Sequence, residues 1–191
     1  MLTTGINFIN FKIKKQSSLV KKNLISILKS KNEVVNSLSQ NYKNSFTKKL
    51  LHKYKKTPNY RVIGMGGSTI GTQTIYDFLK HKIKKKFIFT DNLQTNPTKN
   101  KKKYINLIVS KSGNTIETIV NANIYIKKKD KNIFITENKS SYLYSLAEKL
   151  KSDIIHHNNF IGGRYSVLSE VGMLPAELMG LKASNFRQLN N

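Results

Sequence analysis

Tyr60-Arg61-Val62-Ile63 runs without a break into Gly64-Met65-Gly66-Gly67-Ser68-Thr69-Ile70-Gly71. A short β-branched run that halts at glycines, followed by helix-like sequence to about Ile83, has the form of strand, tight turn and helix. The rhythm repeats downstream. Lys86-Phe87-Ile88-Phe89-Thr90, Ile105-Asn106-Leu107-Ile108-Val109, Asn132-Ile133-Phe134-Ile135-Thr136 and Asp153-Ile154-Ile155 have strand character. Helical spacing occupies Thr115 to about Ile126, with Ile116, Ile119, Val120 and Asn123 on one face, and then Tyr142 to Leu150. A last helix is expected from near Ser169 to Leu178. Strands alternating with such helices form βαβ units, whose right-handed crossovers place helices on both faces of a parallel sheet. The fold class is therefore α/β: a three-layer α/β/α sandwich around a parallel, doubly wound sheet.

Upstream, residues 17–55 are basic and helix-like. Leu19, Val20, Leu24, Ile27 and Leu28 keep a helical spacing, as do Val34, Val35, Leu38, Tyr42 and Phe46, before Thr57-Pro58-Asn59 breaks the pattern. The first stretch uses Lys where organelle transit peptides favour Arg, so it is read as a packing helix. This divides the chain into an N-terminal helical extension, 1–55, and an α/β domain, 56–191.

The 191 residues carry 34 Lys+Arg against 10 Asp+Glu, a net charge of +24, and no Cys. Absence of Cys excludes thiolate catalysis, disulfides and thiolate zinc sites. No apolar run approaches the roughly 18–20 residues of a membrane span, and no secretory leader is evident. A protein of the cytoplasm with no membrane partner is the expectation. The lysines fall in separate clusters such as Lys84-Lys85-Lys86, Lys101-Lys102-Lys103 and Lys127-Lys128-Lys129, each flanking an apolar segment. Together with the abundance of Asn and Ile, they read as a solvated rim produced by compositional drift. Basic and aromatic residues do not alternate in the way that suits base stacking, so nucleic acid is not the expected partner. A positive field would still attract a small phosphorylated ligand.

In parallel sheets ligands gather where strands hand over to helices, so function is sought after Ile63, Val109 and Ile155. In the first loop, glycines allow close backbone approach, and Ser68 and Thr69 would stand at a helix N-terminus, which attracts anions. A dinucleotide fingerprint with Asp91 as its ribose acid is a competing reading, although the sixth position of G-x-G-x-x-G is Thr69; a Walker loop would need Gly-Lys-Ser/Thr. A plain strand-to-helix turn is another. In the second loop, Ser110, Ser112, Asn114 and Thr115 surround Gly113, with Lys111 adding charge and Glu117 following. An N-cap would employ one or two of these side chains; phosphate oxygens would employ several. Glu117 is either an exposed first-turn acid or a carboxylate facing the site. The third loop, Gly162-Gly163-Arg164-Tyr165-Ser166, presents a guanidinium in a chain otherwise dominated by Lys, and that planar fork suits oxyanions.

These three loops, in order, resemble the sugar isomerase (SIS) domain of the glucose-6-phosphate isomerase family. The glycine loop Gly64–Gly71, the run Ser110–Thr118, the arginine signature through Ser169 and the continuation Val171-Gly172-Met173-Leu174-Pro175-Ala176 carry the resemblance over about 55–182. It implies an SIS-type fold and interconversion of glucose 6-phosphate and fructose 6-phosphate through a cis-enediol, a step of glycolysis and gluconeogenesis, with neither metal nor cofactor. It implies that Ser110, Lys111, Ser112 and Thr115 hold the phosphate and that Gly67 and Ser68 lie by the substrate. It also implies that Glu117 lies near the sugar and that Gly163 with Arg164 faces the reacting carbons.

Two departures accompany it. Ser112-Gly113-Asn114 is the broader form shared with phosphomannose-active isomerases and sugar-phosphate sensors, which leaves the sugar open. The family's second SIS domain, with its general-base glutamate and ring-opening histidine, has no counterpart here, so the chain is read as an N-terminal fragment. His156 and His157 are read as surface residues, as are His52 and His81, and Glu170 as a cap of the last helix. A non-catalytic sugar-phosphate-binding module is the alternative, a nicotinamide oxidoreductase the third reading. A homodimer is left open.

Overall fold

The computed structural model describes residues 17–30, 32–93 and 102–188; Lys101, most of the polar loop 92–100 and residues 189–191 lie outside them. Five parallel strands form one sheet in the order β2-β1-β3-β4-β5: β1 Asn59–Ile63, β2 Lys86–Thr90, β3 Ile105–Val109, β4 Lys131–Thr136 and β5 Asp153–His156. The chain steps from β1 outward to β2, returns across β1 to β3, and then proceeds to β4 and β5, which is the doubly wound pattern. Val62 pairs with both Phe89 and Leu107, and Leu107 with Ile133, so the strand exits are level along one edge.

Alternate residues point to opposite faces of a strand, and the two sides of the sheet bury different helices. Tyr60, Val62, Leu107, Val109, Ile133, Ile135 and Ile155 pack with α3 Lys48–Tyr54, α4 Ile70–Phe78 and α7 Glu170–Met179. Ile63, Ile108 and Phe134 pack on the other side with α5 Ile116–Tyr125 and α6 Tyr142–Lys149. All five residues of β3 are buried, which is why that strand is continuously apolar except at Asn106. Asn106 donates to Asn132 at 2.8 Å across the strands. Beside it, Arg61 lies between the rings of Tyr104 and Tyr125, 4.8 and 4.4 Å from their centres.

Three expectations about helices are corrected. The first helix, α1 Ser18–Lys29, buries none of its residues, so its apolar stripe packs on nothing among the described residues. The second, α2 Glu33–Ser37, is a single short piece. Tyr42 and Phe46 follow it in irregular backbone, where their partners are remote in sequence: Tyr42 bonds to Glu170, and Phe46 packs on the core of the α7 side. On α5 the buried face consists of Thr118, Asn121 and Ala122, while Ile116 is 67% exposed and Val120 and Ile124 also face outward. That helix turns Thr118, Asn121, Ala122, Ile119 and Tyr125 toward the sheet, and Ile116, Val120 and Ile124 away.

Candidate functional site

All strands are parallel, so the loops after β1, β3 and β5 emerge along one edge. They also touch. A Cβ on Gly67 would stand 2.3 Å from the carbonyl oxygen of Gly163, so these backbones meet where only glycine fits. Ser166 Oγ joins the same two turns, donating to Gly163 O at 2.7 Å with Gly67 O at 3.3 Å. A Cβ on Gly64 would lie 2.9 Å from Val109 O, which brings the exit of β3 against the first loop. The lack of a side chain at Gly67 is thus used by the close approach of the third loop.

The second loop is pinned by turn chemistry. Gly113 adopts φ +68°, and a Cβ there would collide with Ser141 Oγ. Its carbonyl accepts from Leu143 N at 3.0 Å, and Asn114 Oδ1 accepts from Tyr142 N at 2.9 Å. Asn114 therefore serves the start of α6, and Ser112 Oγ accepts from Asn114 N at 3.2 Å. Part of the polar density in this loop is structural. The remaining pair differs: Ser110 Oγ and Thr115 Oγ1 are 2.9 Å apart and share a hydrogen bond.

That pairing has an electrostatic result. Five of the seven described α-helices carry a side-chain cap, supplied by Ser17, Asn32, Thr47, Ser141 and Ser169. The two without one are α4 and α5. Thr69 and Thr115 occupy their N-cap positions, yet Thr69 Oγ1 turns to Gly66 O and Thr115 Oγ1 to Ser110. The first-turn N–H groups of both helices are left without side-chain acceptors, at the ends that carry about half a positive charge each. These are the helices that start at the glycine and serine loops, and the arrangement favours an anion.

The charged residues divide into committed and free. Of the three arginines, Arg61 and Arg187 are buried, and Arg187 is engaged with Leu168 O and Asn44. Arg164 is exposed, with no hydrogen bond or ion pair to the described residues, at the start of the tight turn Gly163–Leu168. Ser68 and Glu117 are half-buried, with no side-chain hydrogen bond to the described residues. Lys111 Nζ lies 3.5 Å from Glu137 Oε1, and Lys139 Nζ 2.6 Å from Glu137 Oε2. The hydrogen bond from Lys139, with the charge of Lys111, holds the Glu137 carboxyl below its ordinary range. Glu137 follows β4 as Lys111 follows β3, so the strand-end rule could have found it.

His157 is 1% exposed, which corrects the expectation of a surface residue; His156, on the opposite face, is half-buried. Burial pushes the His157 imidazole below its usual value, and its Nδ1 lies 3.1 Å from Asn158 O. Glu170 is not the cap of α7; Ser169 Oγ is, accepting from Val171 N. The Glu170 carboxylate is buried and accepts at Oε1 from Tyr42 OH at 2.8 Å, Ser45 N at 3.0 Å and Ser45 Oγ at 2.8 Å. It fastens the segment before α3 to α7. A cleft of about 510 Å³ lies beside this latch, lined by Glu33, Ser39, Tyr42, Lys43 and Phe160 among others. It adjoins the third loop only through Phe160. No metal-type cluster of His, Asp or Glu exists among the described residues.

Comparison with known proteins shows the family. The pattern of the phosphoglucose isomerase family matches residues 26–191. The chain belongs to the phosphoglucose isomerase family. A glucose-6-phosphate isomerase of Acholeplasma laidlawii is 37% identical over 155 residues, covering 70% of this chain and 36% of that protein. The glucose-6-phosphate isomerase of Methanocaldococcus jannaschii is 36% identical over 150 residues, covering 70% and 37%. The chain thus spans about a third of the length of the curated relatives it matches. Among solved structures, a Thermus thermophilus protein described as hypothetical superposes with a TM-score of 0.68 at 20% identity, over 87% of this chain and 44% of that one. The sheet order and the SIS-type fold follow the family, and all three loops lie inside the matched span. Among the described residues no helix is long and apolar enough to cross a membrane.

Proposed function

We propose that this chain forms the sugar-phosphate-binding part of a glucose-6-phosphate isomerase. The observation that carries the reading is that α4 and α5 both start without a side-chain cap at the strand-exit edge from which the loop of the exposed Arg164 also emerges. The phosphate sits at the start of α5, held by the Ser110–Thr115 hydroxyl pair, Ser112 and the backbone N–H groups after Lys111. Gly67, Ser68 and Gly163 line the sugar. As a proton leaves the carbon next to the carbonyl, negative charge develops on the enediolate oxygens. Arg164 stabilises that charge more than it stabilises the ground state, which lowers the barrier. Glu117, in the first turn of α5, contacts the sugar hydroxyls in this reading. No metal or cofactor is required for this step.

General acid–base transfer needs a group within hydrogen-bond reach of the moving proton. Glu170 is tied to Tyr42 and Ser45, and Glu137 to two lysines, so neither is free for it. In this reading the base comes from sequence outside these residues, and the purified chain binds sugar phosphates weakly with little or no turnover. Phosphorus NMR titration with fructose 6-phosphate, run beside a coupled assay for glucose 6-phosphate, tests both parts. Robust isomerisation by the 191-residue chain would show that a base is present; no ligand-induced shift would remove the binding role. The pairing of Glu137 with Lys111 and Lys139 and the engagement of Glu170 by Tyr42 and Ser45 favour a sugar-phosphate-binding module without turnover as the second reading.

A further inference from the structure

The lysine clusters are separate in sequence and adjacent in space. A parallel sheet brings the entrances of all its strands to one edge, and every strand here is entered through lysine: Lys56 before β1, Lys84 before β2, Lys103 before β3, Lys128 before β4 and Lys151 before β5. With their neighbours in 53–56, 80–86, 102–103, 127–131 and 149–151, fifteen lysines at this edge are exposed. Contacts confirm the gathering. Lys53 pairs with Asp153 at 2.7 Å, joining the approaches to β1 and β5, and the half-buried Lys85 reaches Lys55 O. Five acids share this end: Asp77, Asp130, Glu148, Asp153 and Glu177, which adjoins Leu178, whose carbonyl Lys85 reaches, and accepts from the N–H of Ala183. Asp153 is occupied by Lys53 and Tyr54, and Asp130 by the N–H of Lys127. Around the glycine loops, by contrast, Lys111, Lys139 and Arg164 stand beside Asp91, Glu117 and Glu137, so the charge there is nearly balanced.

We infer that this edge, opposite the sugar-phosphate loops, is a docking face for the phosphate backbone of a nucleic acid. A lipid surface fits less well, because a membrane-binding face combines its lysines with several inserted apolar groups. Here Met65, Ile70, Ile116, Phe160 and Tyr165 are exposed at the other edge, and Phe78 and Ile124 are the large apolar side chains exposed near the lysines. Five strands spaced ~4.8 Å apart make an edge about 19 Å wide. One nucleic-acid strand, at about 3.4 Å per charge, passes about six phosphates across that width. The face offers point charges and no array of aromatic platforms, so binding is independent of base sequence and steeply dependent on salt.

The test uses the purified 191-residue chain and a fluorescent 20-nucleotide oligouridylate followed by anisotropy. About six neutralised phosphates give a slope of log K against log salt near −4, so affinity falls about 250-fold between 50 and 200 mM salt. The decisive comparison is between two triple variants of equal charge. Lys84→Gln/Lys103→Gln/Lys128→Gln, on three strand entrances, should weaken binding at least tenfold and flatten the slope. Lys21→Gln/Lys22→Gln/Lys29→Gln, on α1, should change it less than twofold. Equal losses from both would show a response to net charge and overturn the face. Binding to vesicles rich in anionic lipid without binding to the oligonucleotide would overturn the choice of partner. The strand-entrance variant should leave the fructose 6-phosphate titration unchanged, which separates this inference from the isomerase reading.

Discussion

Thr72 Oγ1 donates to the carbonyl oxygen of Val171 at 3.0 Å, and Val171 is four residues before Pro175. In a regular helix that carbonyl would accept from the N–H of residue 175, which proline lacks. A hydroxyl from α4 thus replaces the missing bond inside α7 and ties the helix that opens the first loop to the helix that closes the third. Both groups are buried. Thr72→Val keeps the shape and removes the donor, leaving a buried carbonyl unpaired. The expected loss is about 1–3 kcal/mol of folding free energy, read as a lower urea midpoint at unchanged slope.

Gly67 and Gly163 meet too closely for a side chain, whereas Gly162 has only Tyr165 near, at 3.7 Å. Gly67→Ala should push the first and third loops apart, shifting Ser68 and Arg164 relative to each other. Gly162→Ala, at φ −68°, should be tolerated. The expected result is loss of fructose 6-phosphate binding by phosphorus NMR in the first variant and retention in the second, with both folded by circular dichroism. Retained binding by Gly67→Ala would mean that the contact does not shape the pocket.

The sheet was legible because its strands are short apolar runs closed by glycine or polar residues; Lys86–Thr90 and Ile105–Val109 end where the pattern says. The uncapped state of α5 was not, since Thr115 has the identity of an N-cap and only its partner Ser110 reveals otherwise. The outward turn of Ile116 was hidden for a related reason: periodicity finds an apolar stripe without saying which stripe faces the sheet. Tyr42 and Phe46 carry helical spacing but are held by Glu170 and the core, contacts that span more than a hundred residues in the first case. The burial of His157 rests on groups remote in sequence, its backbone N–H donating to Thr136 O and its imidazole lying within reach of the charges of Glu170, Lys111 and Glu137, which no local pattern encodes.

The Ser110–Thr115 pair holds one hydroxyl of the second loop in place while leaving the α5 amides open. Thr115→Val removes a hydroxyl without changing shape. Loss of one charge-assisted hydrogen bond to phosphate, together with freedom at Ser110, should weaken sugar-phosphate binding by about 10–100-fold. Thermal stability should fall modestly, because Val suits the extended backbone of that position, φ −67° and ψ 117°, but the buried Ser110 hydroxyl loses its partner. Equal affinity would remove Thr115 from the phosphate site.

His157 makes stability depend on pH. Its imidazole is buried beside Asn158 O, and desolvation favours the neutral form, so its value in the folded chain lies below the ordinary 6.5. The unfolded chain therefore binds more protons than the folded one as pH drops past about 6.5, and unfolding becomes easier there. The stabilising contribution is complete above that value and is lost as pH falls through the depressed one. His157→Asn, which cannot titrate, should remove this part of the slope while costing some packing at all pH values. Urea midpoints measured from pH 8 downward for both proteins provide the check. Parallel curves below pH 6.5 would mean that the imidazole is hydrated and titrates alike in both states.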